Sequence, residues 1–97
     1  MQNPVALIVD DERDIRDLLS TALSRMGLDV VSAESIQQAK LLLGENRFDI
    51  CLTDMRLPDG NGLELVSFLN EGFSNLPVAV LTAYGSAENA VAALKAG

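Results

Sequence analysis

The chain has 97 residues, of which 48% are hydrophobic, so it is large enough to form one domain with a buried core. Seven basic residues stand against 14 acidic ones, and the net charge of -7 argues against direct binding of nucleic acid or anionic lipid, because phosphate binding needs clustered cations. There is no histidine, which excludes histidine-based catalysis and histidine metal ligands, and the single Cys51 cannot form an intrachain disulfide.

No stretch combines a basic start with the apolar core of a signal peptide, and none reaches the roughly 18 apolar residues of a membrane span. We therefore expect no membrane association and a cytoplasmic location. Cys51 lies inside an apolar run, which is typical of a buried structural thiol in a reducing compartment.

The first two elements are a strand and a helix. The short apolar run at residues 5–9 predicts a buried strand that leads into the acidic pair Asp10 and Asp11. Between residues 15 and 26, apolar side chains recur three and four positions apart, which predicts an amphipathic helix. Gly27 suits the C-terminal end of that helix.

The alternation continues along the chain. Residues 30–31 form the centre of a second strand, and Ser35 with Gln38 has the spacing of a capping box, which predicts a second helix from Ser35 to about Gly44. The later elements are, in order, a strand ending at Asp54, a turn-rich loop at 55–62, a helix carrying Leu65, Phe68 and Leu69, a strand at 78–82, and an alanine-rich helix from Ser86 to about Ala96.

Four strand–helix repeats predict an α/β domain, a doubly wound parallel sheet with helices on both faces. In such sheets ligands bind beyond the carboxyl ends of the strands, so Asp10, Asp11 and Asp54 are expected to meet in one crevice. Three carboxylates without a basic neighbour repel one another, and their pKa values rise. A hard divalent cation relieves this, and Mg²⁺ fits the oxygen ligands best.

These residues resemble the receiver domain of bacterial two-component response regulators, over the whole chain, and more particularly its NtrC-like branch. The motifs that carry the resemblance are the Asp10-Asp11 pair, Asp54, the loop Leu57-Pro58-Asp59-Gly60-Asn61-Gly62, and Thr82-Ala83 after the fourth strand. The resemblance implies a flavodoxin-like (CheY-like) sheet with strand order 2-1-3-4 and a signalling module rather than an enzyme.

The resemblance also implies a role for each site residue. Asp54 would accept a phosphoryl group from a sensor histidine kinase, giving an acyl phosphate. Asp11 would bind Mg²⁺ directly, together with the Asp54 carboxylate and the backbone carbonyl of Arg56, while Asp10 would help to hold the metal, partly through water. Thr82 would hydrogen-bond the phosphoryl oxygens.

One part of the family pattern is absent from residues 1–97. Receivers carry a lysine at the end of a fifth strand, followed by a fifth helix, and Lys95 lies in the predicted fourth helix, so that role is not assigned to it. We therefore expect a receiver domain shortened at its C-terminal end. Its exposed edge at 78–82 predicts a homodimer or edge-paired oligomer, or marginal stability.

Further partners follow from the resemblance. DNA would be reached only through a region outside these residues, and the polar edge of the first helix, with Arg13, Arg16 and Asp17, would face the kinase. Arg56 and Tyr84, two residues past Asp54 and Thr82, either tune the phosphoryl lifetime or are solvated surface residues.

Other functions fit the sequence less well. A Mg²⁺-dependent aspartyl phosphohydrolase needs Asp-x-Asp after strand one, where this chain has Asp10-Asp11-Glu12. A flavin-binding domain needs a hydroxyl-rich or glycine-rich loop there. A calcium loop fails because residues 59–62 lack a third oxygen ligand and the spaced glutamate. A stand-alone receiver without a DNA-binding output stays open.

Overall fold

The computed structural model describes residues 3–73 and 75–81. In this part of the chain no helix is long and apolar enough to cross a bilayer. The elements are β1 (Val5–Val9), α1 (Arg13–Arg25), β2 (Asp29–Ala33), α2 (Ile36–Glu45), β3 (Ile50–Asp54), β4 (Arg56–Leu57), β5 (Gly60–Asn61), α3 (Gly62–Gly72) and β6 (Val78–Leu81).

The four long strands form one parallel sheet in the order β2-β1-β3-β6. This confirms the predicted order 2-1-3-4, since β6 is the fourth long strand. The predicted fourth helix, from Ser86 onwards, lies outside the described residues.

Both faces of the sheet are covered, because successive side chains of a strand point to opposite faces. In β1, Leu7 and Val9 belong to one buried cluster, whereas Ala6 and Ile8 belong to another. Helices α2 and α3 complete the first cluster and α1 completes the second, with the helical members Ile36, Ala39, Leu43, Leu65 and Leu69 in the first and Leu19 and Leu23 in the second. The doubly wound architecture is therefore confirmed.

Helix α1 ends where the sequence predicts. Gly27 has φ +91°, a conformation that favours glycine. Its amide donates to Ser24 O at 3.0 Å and the Leu28 amide donates to Leu23 O at 3.1 Å. This pair of bonds is a Schellman motif, which satisfies carbonyls at the helix end and turns the chain into β2.

Helix α2 begins at the predicted cap. The Ser35 hydroxyl oxygen accepts a hydrogen bond from the Gln38 amide at 3.1 Å. The returning bond differs by one residue from a capping box, because Gln38 Oε1 accepts from the amide of Glu34 at 2.8 Å.

The predicted turn-rich loop contains a short hairpin that the sequence did not indicate. Strands β4 and β5 are antiparallel, with Arg56 opposite Asn61 and Leu57 opposite Gly60. Leu57 is buried in the cluster beneath α2 and α3, so the loop is drawn onto the core and its two arms come close enough to pair. The Asn61 side chain then caps α3.

Candidate functional site: an acidic cluster at the strand ends

Three carboxylates meet at the carboxyl edge of the sheet. Val9 and Thr53 are opposite one another in the β1–β3 pair, so Asp10 and Asp54 follow at the same level. One carboxylate oxygen from each of Asp10, Asp11 and Asp54 lies within 4.8 Å of the other two. The predicted convergence of these side chains is therefore observed in the structure.

Asp10 is the buried member of the cluster, with 4% of its surface exposed. Burial raises the pKa of its carboxyl above the ordinary value, and the nearby negative charges of Asp54 and Asp11 add to this. The amide N–H of Glu12, which donates to Asp10 Oδ1 at 2.8 Å, acts in the opposite direction. Asp10 is therefore held in place while its negative charge is left largely uncompensated.

Asp54 is half-buried, and the backbone amide of the next residue orients its side chain. The amide of Met55 donates to Asp54 Oδ1 at 2.8 Å, and the same amide also reaches Leu81 O at 3.2 Å across the sheet. This shared donor joins the end of β3 to the end of β6. The Asp54 carboxylate is thus fixed at the point where the two strands meet.

No described cation pairs with the cluster. The two ion pairs among residues 3–73 and 75–81 join Arg13 to Asp17 at 3.8 Å and Arg16 to Glu34 at 3.3 Å. Neither pair involves Asp10, Asp11 or Asp54. Three close carboxylate oxygens with one buried side chain among them form a donor set suited to a hard divalent cation such as Mg²⁺.

Arg16 differs from its predicted place on the exposed polar edge of α1. Its guanidinium Nη1 donates to the backbone carbonyl of Asp10 at 2.8 Å, and only 13% of its side chain is exposed. It turns inward because the Asp10 carbonyl and the Glu34 carboxylate both lie within its reach. Arg13 and Asp17 remain exposed, as predicted.

One residue of the hairpin and the first residue of α3 contribute to the site in ways that the sequence did not indicate. Gly62 donates to Met55 O at 2.7 Å, and a Cβ at position 62 would collide with the backbone carbonyl oxygen of Asp54. The Asp59 carboxylate accepts hydrogen bonds from the amides of Ile36 and Gln37, both at 2.9 Å. Gly62 lies in the loop motif at residues 57–62 that carries the family resemblance. Nothing in the sequence indicated the hydrogen-bond partners of Asp59.

The remaining predicted residues are only partly described. Arg56 lies in β4, and its side chain is exposed. Thr82 and Tyr84 lie outside the described residues, although Thr82 directly follows Leu81, which is opposite Asp54 in the β3–β6 pair. The roles predicted for these three residues stay predictions.

A doubly wound parallel sheet with an acidic cluster at its carboxyl edge is consistent with the receiver domain of a two-component response regulator. The chain belongs to the response regulator receiver domain family, whose family model matches residues 6–97. It is 55% identical, over all its residues, to the response regulator protein PilR of Pseudomonas aeruginosa, of which it spans 22%. The predicted resemblance to the NtrC-like branch is thereby confirmed.

Solved structures agree with this assignment of the fold. The non-phosphorylated HemR receiver domain from Leptospira biflexa is 32% identical, with a TM-score of 0.77 over 97% of this chain and 76% of that one. The regulator TrrA of Thermotoga maritima, solved in complex with Mg²⁺-BeF, is 30% identical, with a TM-score of 0.80 over 84% of this chain and 70% of that one. The CheY-like fold is therefore confirmed.

Proposed function

We propose that this chain is the phosphoacceptor switch of a two-component system, in which Asp54 accepts a phosphoryl group from a sensor histidine kinase in a Mg²⁺-dependent reaction. The observation that carries the proposal is the meeting of Asp10, Asp11 and Asp54 at the strand ends, without a described cation, in a member of the receiver family. The chain would act as a signalling module rather than as an enzyme.

In the proposed reaction a carboxylate oxygen of Asp54 attacks the phosphorus of the kinase phosphohistidine. The new O–P bond forms as the N–P bond breaks, and the imidazole nitrogen keeps the electron pair and takes up a proton. Phosphoryl transfer depends mainly on positioning and on stabilisation of charge. The Met55 amide, which donates to Asp54 Oδ1 at 2.8 Å, would supply part of that positioning.

The residues that would hold Mg²⁺ are the carboxylates of Asp11 and Asp54 and the backbone carbonyl of Arg56, with Asp10 assisting partly through water. When bound, the ion would neutralise the repulsion between the carboxylates and the incoming phosphoryl group. The regulator TrrA, a relative in fold, was solved with Mg²⁺-BeF, which supports this choice of metal. The hydrogen bond from the Glu12 amide would keep the Asp10 carboxylate in its orientation.

Thr82 would then respond to the new charge. The phosphoryl group adds roughly 1.5 to 2 negative charges and strong acceptor oxygens, by analogy with other phospho-residues. Thr82 directly follows Leu81 in the sequence, and Leu81 is opposite Asp54 in the β3–β6 pair, which supports this role for its hydroxyl.

The output proposed for the whole protein is regulation of transcription, in a σ54-dependent system. The 55% identity to PilR supports this, and the chain spans only 22% of that regulator's length. DNA binding would belong to a separate region, since this chain carries a net charge of -7. We propose residues 1–97 as a receiver domain acting in the cytoplasm.

Intact-mass analysis after incubation with Mg²⁺ and acetyl phosphate tests the proposal, with Asp54→Asn as the control. We expect one added phosphoryl group that hydroxylamine removes and that the variant does not acquire. An adduct on the variant as well would move the acceptor to another residue. Absence of any adduct, in this chain and in one that continues beyond residue 97, would contradict the assignment.

Association through β6 is a separate proposal. This strand is an edge of the sheet formed by the described residues, and its four residues are all half-buried. An edge strand presents unpaired backbone groups to a second copy of the chain. Light scattering and calorimetry decide the matter, since a monodisperse monomer with a cooperative unfolding transition would contradict both edge pairing and marginal stability.

A further inference from the structure

The hairpin that follows Asp54 is tied to the start of α2 by one side chain. Asp59 Oδ1 accepts from the Ile36 amide and Asp59 Oδ2 accepts from the Gln37 amide, each at 2.9 Å. These amides belong to the first turn of a helix, where N–H groups have no partner within the helix. Both oxygens of one carboxylate are therefore committed to a helix 22 or more residues away in sequence.

The hydrogen bonds are charge-assisted. The two amide donors lower the pKa of Asp59 below its ordinary value, so the carboxylate is ionised at neutral pH. A carboxylate that accepts from backbone amides at a helix N-terminus also interacts favourably with the positive end of the helix. This contact is consequently stronger than an ordinary turn hydrogen bond.

Apolar contacts keep the same two segments together. Leu57 and Ile36 belong to one buried cluster. At Gly60, an added Cβ would lie 2.9 Å from Ile36 Cδ1, so the hairpin backbone packs directly on the first residue of α2. The hairpin therefore packs on the start of α2 through apolar contacts, and the two hydrogen bonds of Asp59 add polar contacts between the same segments.

This contact with α2 constrains the backbone of the whole hairpin because the hairpin is short. β4 comprises only Arg56 and Leu57, and Pro58, whose φ is fixed by its ring, is the one residue between β4 and Asp59. Fixing Asp59 therefore limits where the backbone of Arg56 can lie. The amide of Gly62, just after β5, donates to Met55 O at 2.7 Å. This hydrogen bond holds the end of the hairpin next to its start, one residue after Asp54.

We propose that Asp59 is a positioning residue for the metal site. It holds the β4–β5 hairpin on α2 and thereby fixes the backbone carbonyl of Arg56, two residues after Asp54, for binding the ion. This rests on the proposed function, because it assigns a purpose to the hairpin only if that carbonyl binds Mg²⁺. Asp59 itself does not touch the metal or the phosphoryl group. It acts through the backbone of the three residues before it.

A matched pair of variants separates positioning from simple helix capping. Asp59→Ala removes the two bonds to the hairpin, whereas Ser35→Ala removes the other cap of the same helix end, the bond from the Gln38 amide, without touching the hairpin. Both variants lose cap hydrogen bonds and should unfold at lower temperature. Only Asp59→Ala should release the hairpin.

Titration calorimetry with MgCl₂ on the whole chain gives the first readout. We expect Asp59→Ala to weaken Mg²⁺ binding about tenfold, the lower end of the loss caused by removing an outer partner of a metal ligand. Ser35→Ala should bind like the unmodified chain, and Asp59→Asn, which keeps one acceptor oxygen, should fall between. Equal affinity for Asp59→Ala and Ser35→Ala would overturn the proposal.

Amide NMR spectra of the metal-free proteins give the second readout. We expect the resonances of Met55, Arg56 and Leu57 to shift in Asp59→Ala and to stay in place in Ser35→Ala. Unchanged resonances in Asp59→Ala would overturn the proposal without reference to the metal. Failure of the unmodified chain to bind Mg²⁺ would instead contradict the proposed function, and this proposal with it.

Discussion

Gly62 lies against the backbone of Asp54 so closely that the carbonyl oxygen of Asp54 occupies the space in which a Cβ at position 62 would stand. The φ angle of Gly62 is not positive, so glycine is needed here for room and not for its conformational freedom. The start of α3 can therefore pack directly on the end of β3, where the proposed phosphoacceptor lies.

Replacement of Gly62 by alanine should damage the site and the fold together. We expect Gly62→Ala to lower the free energy of unfolding by about 1–3 kcal/mol, the usual cost of overpacking, and to slow phosphorylation of Asp54. Urea unfolding and intact-mass kinetics measure the two effects. Gly44→Ala is the control, because nothing lies within 4 Å of the position that a Cβ would take at residue 44. Alanine there should stabilise α2 by about 0.5–1 kcal/mol. Equal stabilities for the two variants would contradict the steric argument.

Asp10 should stabilise the metal-bound chain and destabilise the metal-free one. The pKa of Asp10 is raised in the folded chain, so stability is lost as pH rises from the ordinary value of 3.8 through the folded pKa. Asp10→Asn keeps an oxygen for the Glu12 amide, and we expect it to be more stable than the unmodified chain without Mg²⁺, by about 1 kcal/mol.

Denaturation with and without MgCl₂ checks the expectation for Asp10. Added Mg²⁺ should stabilise the unmodified chain, since a ligand that binds only the folded state raises its stability, and should stabilise Asp10→Asn much less. In the metal-free chain Asp11→Asn is the matched contrast. Asp11 is exposed, so its replacement removes little buried charge and should raise the stability less than Asp10→Asn does. A metal-free Asp10→Asn that is less stable than the unmodified chain would refute this account.

Asp59 should contribute to an acid-sensitive part of the stability. Its pKa is lowered in the folded chain, so its contribution is present above the ordinary pKa of 3.8 and is lost as pH falls through the folded pKa. We expect the stability difference between the unmodified chain and Asp59→Asn to shrink on acidification. Unfolding curves recorded at a series of acidic pH values measure it. The deficit of Ser35→Ala should persist over the same range, because a hydroxyl does not titrate there.

Cys51 should be unreactive in the folded chain. Burial raises the pKa of its thiol from 9.0 to about 12, and the residue is fully buried in β3. We expect a thiol-reactive disulfide reagent at about pH 8 to label Cys51 only as fast as the chain unfolds, because the nucleophile is the thiolate. Rapid labelling under native conditions would contradict the burial of this strand. Above pH 9 the folded chain should lose stability, since only the unfolded thiol ionises readily.

The sequence by itself determined the order of the four long strands and of the first three helices, and the meeting of the three aspartates. Both follow from short-range periodicity and from one general property of parallel sheets, that the carboxyl ends of neighbouring strands share an edge. The ends of α1 at Gly27 and of α2 at Ser35 were predictable for the same reason, because their bonding partners lie within a few residues.

Only the tertiary structure decided which residues support that cluster. Asp59 meets α2 across 23 residues, and Arg16 reaches Glu34 across 18, so no local pattern could indicate either contact. Both depend on how the hairpin and α1 pack on the sheet. The burial of Leu57 and Ile36 in one cluster brings Asp59 to the open amides of α2. Residues with ordinary turn or surface chemistry in the sequence thereby become supports of the site, because packing places polar partners within their reach.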